Sequence, residues 1–181
     1  KGQIPKNINF IRADENKKSY FASKLKTGKP KIGIAWRGNK EYIGDGRRSV
    51  QPILFAPFST LDCLFVSLQK EYEEGDIQQL SEFIDITDFS NELSDFSDTA
   101  ALIANLDAVI TVDTSVAHLA ATMEKPTFIM LPYAPDWRWG LDSEKTDWYD
   151  TVTLVRQEGL DDWSGVIESV KLKVRDLISL Q

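Results

Sequence analysis

Long apolar runs are missing from this chain of 181 residues, and none approaches the roughly 20 residues that a membrane span requires. The N-terminus shows no signal-peptide pattern. It opens on Lys1-Gly2-Gln3-Ile4-Pro5 rather than Met, which points to a longer protein of which this is a part. Cysteine is nearly absent. Cys63 is alone, so no intrachain disulfide forms, and it lies in the apolar stretch from Leu61 to Val66 with no histidine beside it. A buried structural thiol in a reducing compartment is the expected state. His118 is the one histidine, which excludes a histidine-rich metal site within the chain. There is no GxGxxG and no GxxxxGK[ST], so neither a dinucleotide fingerprint nor a P-loop is present. No Asp-x-Asp triplet occurs either, which removes a common way of holding a metal on a diphosphate.

What is there reads as an ordinary globular domain. Hydrophobic residues make up 42% and charged residues 27%, enough to build a buried core. The length suits one complete α/β core and is too short for two. The net charge of -7 is unevenly placed. Up to Arg48 there are thirteen Lys or Arg against four Asp or Glu; beyond it, eight against twenty-four. No basic face dominates, so a nucleic-acid partner is not expected. Lys17, Lys18, Lys24, Lys26 and Lys29 read as a solvated lead-in, and the acidic stretch from Glu71 to Asp98 as a solvated face.

Residues 1–30 show no sustained period and are read as a lead-in with one short helix near Lys17 to Leu25. The organised domain is expected over 31–181. Short apolar runs bounded by turn residues suit buried parallel strands. They fall at Lys31–Trp36, Leu64–Leu68, Ala108–Val112, Thr127–Leu131 and Val152–Val155, with a weaker one at Phe83–Ile86. Helical patterns lie between them: Pro52–Leu61, a helix starting at Asp98, Thr114–Thr122, and Trp163–Leu180 with apolar residues at helical spacing. Strands alternating with helices predict an α/β fold with a doubly wound, mostly parallel sheet. In such folds ligands bind beyond the carboxyl ends of the strands, so the residues that follow each run are the candidates.

Val112-Asp113-Thr114-Ser115-Val116-Ala117-His118 leaves a strand and enters a helix, and a helix start is an anion site through its free amides and dipole. Thr114 and Ser115 add hydroxyls. His118, four residues past Thr114, is expected on the same face, able to donate a hydrogen bond or a proton to a phosphate. Alternatively Thr114 only caps the helix and His118 is a core histidine. Asp113 suits sugar hydroxyls or orientation of the loop. After the first run, Arg37 with Gly38 and Asn39 is a phosphate candidate, with Arg47 and Arg48 closing the next loop; the alternative is an exposed arginine cluster. After the second run, Gln69 can reach a ribose or base, and Lys70 a phosphate. The loop Pro132-Tyr133-Ala134-Pro135-Asp136-Trp137-Arg138-Trp139-Gly140, followed by Trp148-Tyr149, offers rings that either stack on a ligand or pin the loop. With no metal ligands apparent, a leaving diphosphate would be met by amides, hydroxyls, His118 and arginine.

Taken in order, Lys31–Asn39, Arg47-Arg48-Ser49, Ser67-Leu68-Gln69, Asp95–Ala100, Leu106–Leu119 and Pro135–Trp139 resemble bacterial glycosyltransferases of the ADP-heptose:lipopolysaccharide heptosyltransferase type, glycosyltransferase family nine. The nearest likeness is to the branch in which such a domain follows tetratricopeptide repeats. The resemblance covers roughly residues 31 to 160, with Asp113–His118 its most specific part. It implies the Rossmann-like C-terminal, donor-binding half of a GT-B enzyme. A nucleotide-diphosphate sugar would be its substrate, with no metal or other cofactor. Thr114, Ser115, His118 and Arg37 would then meet the donor diphosphate, and Asp113 the sugar. Gln69, Pro132 and Tyr133 would lie near the nucleoside, and Arg47, Arg48, Lys70 and Trp137 are further candidates. Ser115 stands where the family typically has glycine. The family's catalytic base comes from an N-terminal domain not contained here, so the fragment alone should transfer little. A cytoplasmic location, at most at the inner membrane face, is implied. The alternatives are a non-catalytic nucleotide-sugar or interaction module, and a GT-B epimerase or hydrolase.

Overall fold

The computed structural model describes residues 11–41 and 44–180. Helix α1 (Glu15–Lys24) precedes β1 (Lys31–Ala35), the single turn α2 (Asp45–Arg48) and a 3-10 helix, Pro52–Thr60. There follow β2 (Leu64–Ser67), α3 (Asp76–Ser81), β3 (Ile86–Asp88), α4 (Phe96–Ala104) and β4 (Ala108–Val112). The chain closes with α5 (Ser115–Thr122), β5 (Thr127–Leu131), β6 (Val152–Arg156) and α6 (Trp163–Ile178). All paired strands are parallel, in the order β3-β2-β1-β4-β5-β6. This is the doubly wound Rossmann-like arrangement that the alternation of elements predicts.

Both faces of the sheet are covered, which is why its strands are apolar at nearly every position. Ile32 and Ile34 of β1, with Ile110 and Val112 of β4, pack under α6 and the 3-10 helix. Ala35, Val66 and Val109 face the other way, onto α4 and α1. The segment from Pro52 winds as a 3-10 helix with Pro57 inside it, since a proline there withholds an amide and clashes with the preceding turn.

Several boundaries move for identifiable reasons. The weak run at Phe83–Ile86 begins its strand only at Ile86, because the amides of Phe83 and Ile84 are bonded to the Leu80 carbonyl at the end of α3. Helix α4 starts before Asp98. Asp95 is its N-cap, and Asp98 three residues on returns the bond to the Asp95 amide as a capping box.

The lead-in is part of the domain from α1 onward, while residues 1–10 lie outside the described residues. Phe21 and Leu25 are buried against α4 and Phe89. Asn105, the C-cap of α4, donates to the Lys18 carbonyl, and Lys17 and Lys24 pair with Asp98 and Glu92. Burying a ring such as Phe21 contributes on the order of 2 kcal/mol. The acidic stretch is likewise more than a solvated face, since Asp76 is buried within it.

Candidate functional site

Strand order reverses direction between β1 and β4, and the loops that leave these strands part to form a crevice. Its cavity of about 290 Å³ is bordered by Arg37, Gly38 and Asn39 after β1, Gln69, Lys70 and Glu71 after β2, Thr114, Ser115 and Val116 at the start of α5, and Phe96 and Thr99 on α4. Thr114 is the N-cap of α5 and has extended backbone angles (φ -139°, ψ 173°). Its side chain makes no capping bond. Instead its hydroxyl lies 3.2 Å from that of Thr111, which is itself bonded to the Val112 carbonyl. The first amides of a helix have no partner within the helix; here the Ala117 amide bonds to the Thr114 carbonyl, which leaves those of Ser115 and Val116 at the open turn. Ser115 is exposed and Thr114 half-buried, so the turn is open.

A chain of hydrogen bonds braces the crevice from one wall to the other. The Gly38 amide donates to Ser49 Oγ, Ser49 Oγ donates to Asp45 Oδ2, and Asp45 Oδ1 accepts from Arg48 Nε. Arg48 Nη1 then donates to the Asp113 carbonyl at 2.8 Å. A Cβ at position 38 would sit 2.0 Å from Asp45 Oδ1 and 2.4 Å from Arg48 Nε. Glycine is required there by the closeness of this brace. Arg48, which also borders the cavity, thus fixes the β4–α5 turn. Arg47 is exposed and lies outside the cavity wall.

Two residues expected to bind ligand are engaged by the protein itself. Arg37 was expected on phosphate; its Nε and Nη2 donate to Asp76 at 2.6 and 3.1 Å, and its Nη1 and Nη2 to Glu73 at 3.2 and 3.3 Å. Burial is the largest single influence and opposes its charge, but the bonds to Asp76 together with the charges of Asp76, Glu73 and Asp45 outweigh it and hold the pKa above the ordinary value. Asp76 also accepts from the indole of the buried Trp36. Gln69 was expected on the nucleoside. Its oxygen accepts the amides of Trp36 and Arg37, and its nitrogen donates to the carbonyls of Arg37 and Glu71. Both donors and both lone pairs are used, so Gln69 staples the β1 loop to the β2 loop.

His118 is also displaced from its expected role. The four-residue spacing from Thr114 holds only if both residues are helical, and Thr114, as the cap, is extended. His118 stacks on Trp139 with ring centroids 5.2 Å apart, and its Nδ1 lies 3.0 Å from the Tyr149 hydroxyl. Burial first, and then the charge of Arg138, push its pKa below the ordinary histidine value. It thus sits on α5 against the loop after β5, outside the wall of the crevice. Pro132 and Tyr133 do not border the crevice either; the Tyr133 amide is bonded to Gln157 and its ring is exposed. Asp113 is buried beside the crevice, and Lys70, which borders it, is exposed with Nζ bonded to the Ser90 carbonyl.

Phe96, Thr99 and Val116 on the cavity wall were not singled out from sequence. Asp95–Ala100 carries the signal for the first two, as a conspicuous capping box that aims the start of α4 at the crevice. Trp137 lies elsewhere, on a larger hollow of about 860 Å³ formed by the loop between β5 and β6. Cys63 is buried and its pKa is pushed up to about 12 by that burial, which leaves it an inert thiol. Among the described residues no three His, Cys, Asp or Glu side chains cluster as a metal site, and no helix is long and apolar enough to cross a membrane.

Residues 61–141 match the model of glycosyltransferase family 9 (heptosyltransferase), a segment that runs from β2 through the α5 turn to the tryptophan loop. Over 180 residues the chain is 28% identical to Protein FlbA of Caulobacter vibrioides, covering 96% of this chain and 30% of that protein. The fold is shared with E. coli ADP-heptose lps heptosyltransferase II (TM-score 0.65, 16% identity, 94% of this chain and 53% of that one). It is shared equally with a glycosyl transferase family 9 protein from Veillonella parvula (TM-score 0.63, 11% identity, 94% and 53%). The chain thus spans about half the length of these solved structures, and less of the curated relative. Through the matched segment and the Rossmann-like, GT-B type sheet that carries it, the chain is similar to glycosyltransferase family 9.

Proposed function

We propose that this chain is the donor-binding half of a metal-independent glycosyltransferase. It takes a nucleotide-diphosphate sugar, whose diphosphate rests on the start of α5 in the crevice between β1 and β4. The observation that carries this reading is the uncapped, open α5 N-terminus at the switch point of a parallel sheet. Anions gain there from both amides and dipole. Ser115 and Thr114 supply hydroxyls, Arg37, Arg48 and Lys70 supply positive charge at the wall, and Glu71 is the carboxylate that borders the cavity. The exposed ring of Phe96 gives a base or sugar an apolar face.

In this reading the crevice acts electrostatically. When the bond between sugar and diphosphate breaks, negative charge grows on the leaving phosphate, and donors already fixed at that place stabilise it without reorganising. The brace from Gly38 to Asp113 is what fixes them. The acceptor, and the base that activates it, belong to the remainder of a longer protein, and a soluble domain without a spanning helix would work beside that remainder inside the cell.

Calorimetric titration with ADP, UDP and GDP, in magnesium and in chelator, tests the reading. Binding is expected in both conditions, weakened about tenfold to a hundredfold by Thr114→Ala combined with Ser115→Ala, as befits lost bonds to a charged ligand. Equal affinity of that variant and the parent would refute the site, and binding that needs magnesium would refute metal independence.

A further inference from the structure

The crevice leaves the tryptophan loop unexplained. Its hollow of about 860 Å³ is bordered by Trp137, Trp139, Trp148 and Tyr149 and by the carboxylates of Asp142 and Asp147. Trp137 is 79% exposed. A ring that only pinned the loop would be buried, as Trp139 is at 3%. The hollow is within the size range of ligand pockets, and rings beside carboxylates suit a ligand with an apolar face and a hydroxyl-rich rim.

A second observation concerns hydrogen bonds. The buried side-chain atoms that lack a partner among the described residues are Trp139 Nε1, Thr151 Oγ1, Arg156 Nε and Gln157 Nε2. All of them fall between residues 139 and 157, and three are nitrogen donors. Trp139 borders the large hollow. Arg156 and Gln157 border an adjoining one of about 420 Å³, which shares the wall at Leu141, Asp142 and Ser143. Native proteins seldom leave such atoms unsatisfied; these are buried, so an outside acceptor reaches them only as the loop shifts to expose them. Sugar hydroxyls and ring oxygens supply acceptors at close intervals.

We infer that the tryptophan loop binds an oligosaccharide, with pyranose faces laid on Trp137 and Trp148 and hydroxyl groups against Asp142 and Asp147. This site is separate from the nucleotide crevice and does not depend on it. Helix α5 lies between them: its first residues border the crevice, and His118, one turn on, holds Trp139 and Tyr149.

Saturation-transfer NMR tests this with maltotriose and triacetylchitotriose as probes, alone and with ADP or UDP. Transfer to a trisaccharide is expected without any nucleotide, with affinity about tenfold lower in Trp137→Ala and unchanged in Thr114→Ala. Trp137 is exposed, so its removal spares the core, and circular dichroism verifies that the variant folds; Trp148→Ala is the second variant and is expected to weaken binding in the same direction. Absence of transfer from both probes would overturn the inference. So would transfer that survives in Trp137→Ala and disappears in Thr114→Ala, because the sugar would then occupy the crevice. Saccharide binding in a chain that binds no nucleotide would support this inference while removing the diphosphate reading.

Discussion

The crevice between β1 and β4 and the hollow of the tryptophan loop adjoin the same helix, but they are made on different plans. In the crevice nearly every polar side chain is tied to another: Gln69 to four backbone groups, Arg37 to two carboxylates, Arg48 to Asp45 and to Asp113. What remains for a ligand is backbone, hydroxyls and the helix field. In the loop Trp137 is well exposed, and the buried Trp139 Nε1, Thr151 Oγ1, Arg156 Nε and Gln157 Nε2 lack partners among the described residues. A braced site holds its geometry before the ligand arrives, which suits charge stabilisation during a reaction. A site with unsatisfied donors and open rings gains its order from the ligand, which suits recognition of a glycan.

The largest effect that separates the two plans concerns Arg37. If it braces the crevice, Arg37→Ala leaves the buried Asp76 with its charge uncompensated, and breaking such a buried pair costs on the order of 3 kcal/mol. The urea unfolding midpoint should fall accordingly with an unchanged slope. A loss of nucleotide affinity with unaltered stability would instead return Arg37 to the phosphate and erase the contrast.

The fold was legible because its signal is local. Five strands show as apolar runs between turn residues, and each run emerges as a strand within about a residue. The site was legible only in part. Asp113-Thr114-Ser115 stands out in the sequence because a strand end followed by a hydroxyl and a helix is a local pattern, and the structure places Thr114 and Ser115 on the crevice. The bonds of Arg37 and Gln69 were not legible because their partners, Asp76, Glu73 and the backbone of residues 36, 37 and 71, come together only when the β1 and β2 loops meet. Nothing in the sequence around Arg37 marks Asp76, which lies in a stretch of acids that otherwise pass for surface. The direction of His118 was not legible because Thr114 is an extended cap, so helical spacing does not begin there.

A smaller effect distinguishes an open helix start from a capped one. A threonine that caps contributes about 1 kcal/mol, whereas Thr114 makes no capping bond. Thr114→Ala alone should therefore alter stability by less than about 0.5 kcal/mol, as read by thermal or urea unfolding, while it lowers nucleotide affinity. A stability loss of the size of a cap would show that the hydroxyl serves the helix and not a ligand.

The smallest effect lies at the border of the two regions, in the titration of His118. Burial and Arg138 lower its pKa in the folded chain, and Asp113 and Asp136 only partly oppose them. The folded value thus lies below the unfolded one, so below about pH 6.5 the unfolded chain binds the extra proton first. The contribution of His118 to stability is complete above that pH and declines as pH falls through the folded value. In His118→Phe, which keeps a ring against Trp139 but cannot be protonated, the fall in unfolding temperature between about pH 7 and pH 5 should be shallower than in the parent. The imidazole signals in NMR should report a midpoint under 6.5 in the folded protein. A midpoint above that value would mean a charged ring stabilised by an acid. His118 would then again be a candidate proton donor, shared between loop and crevice.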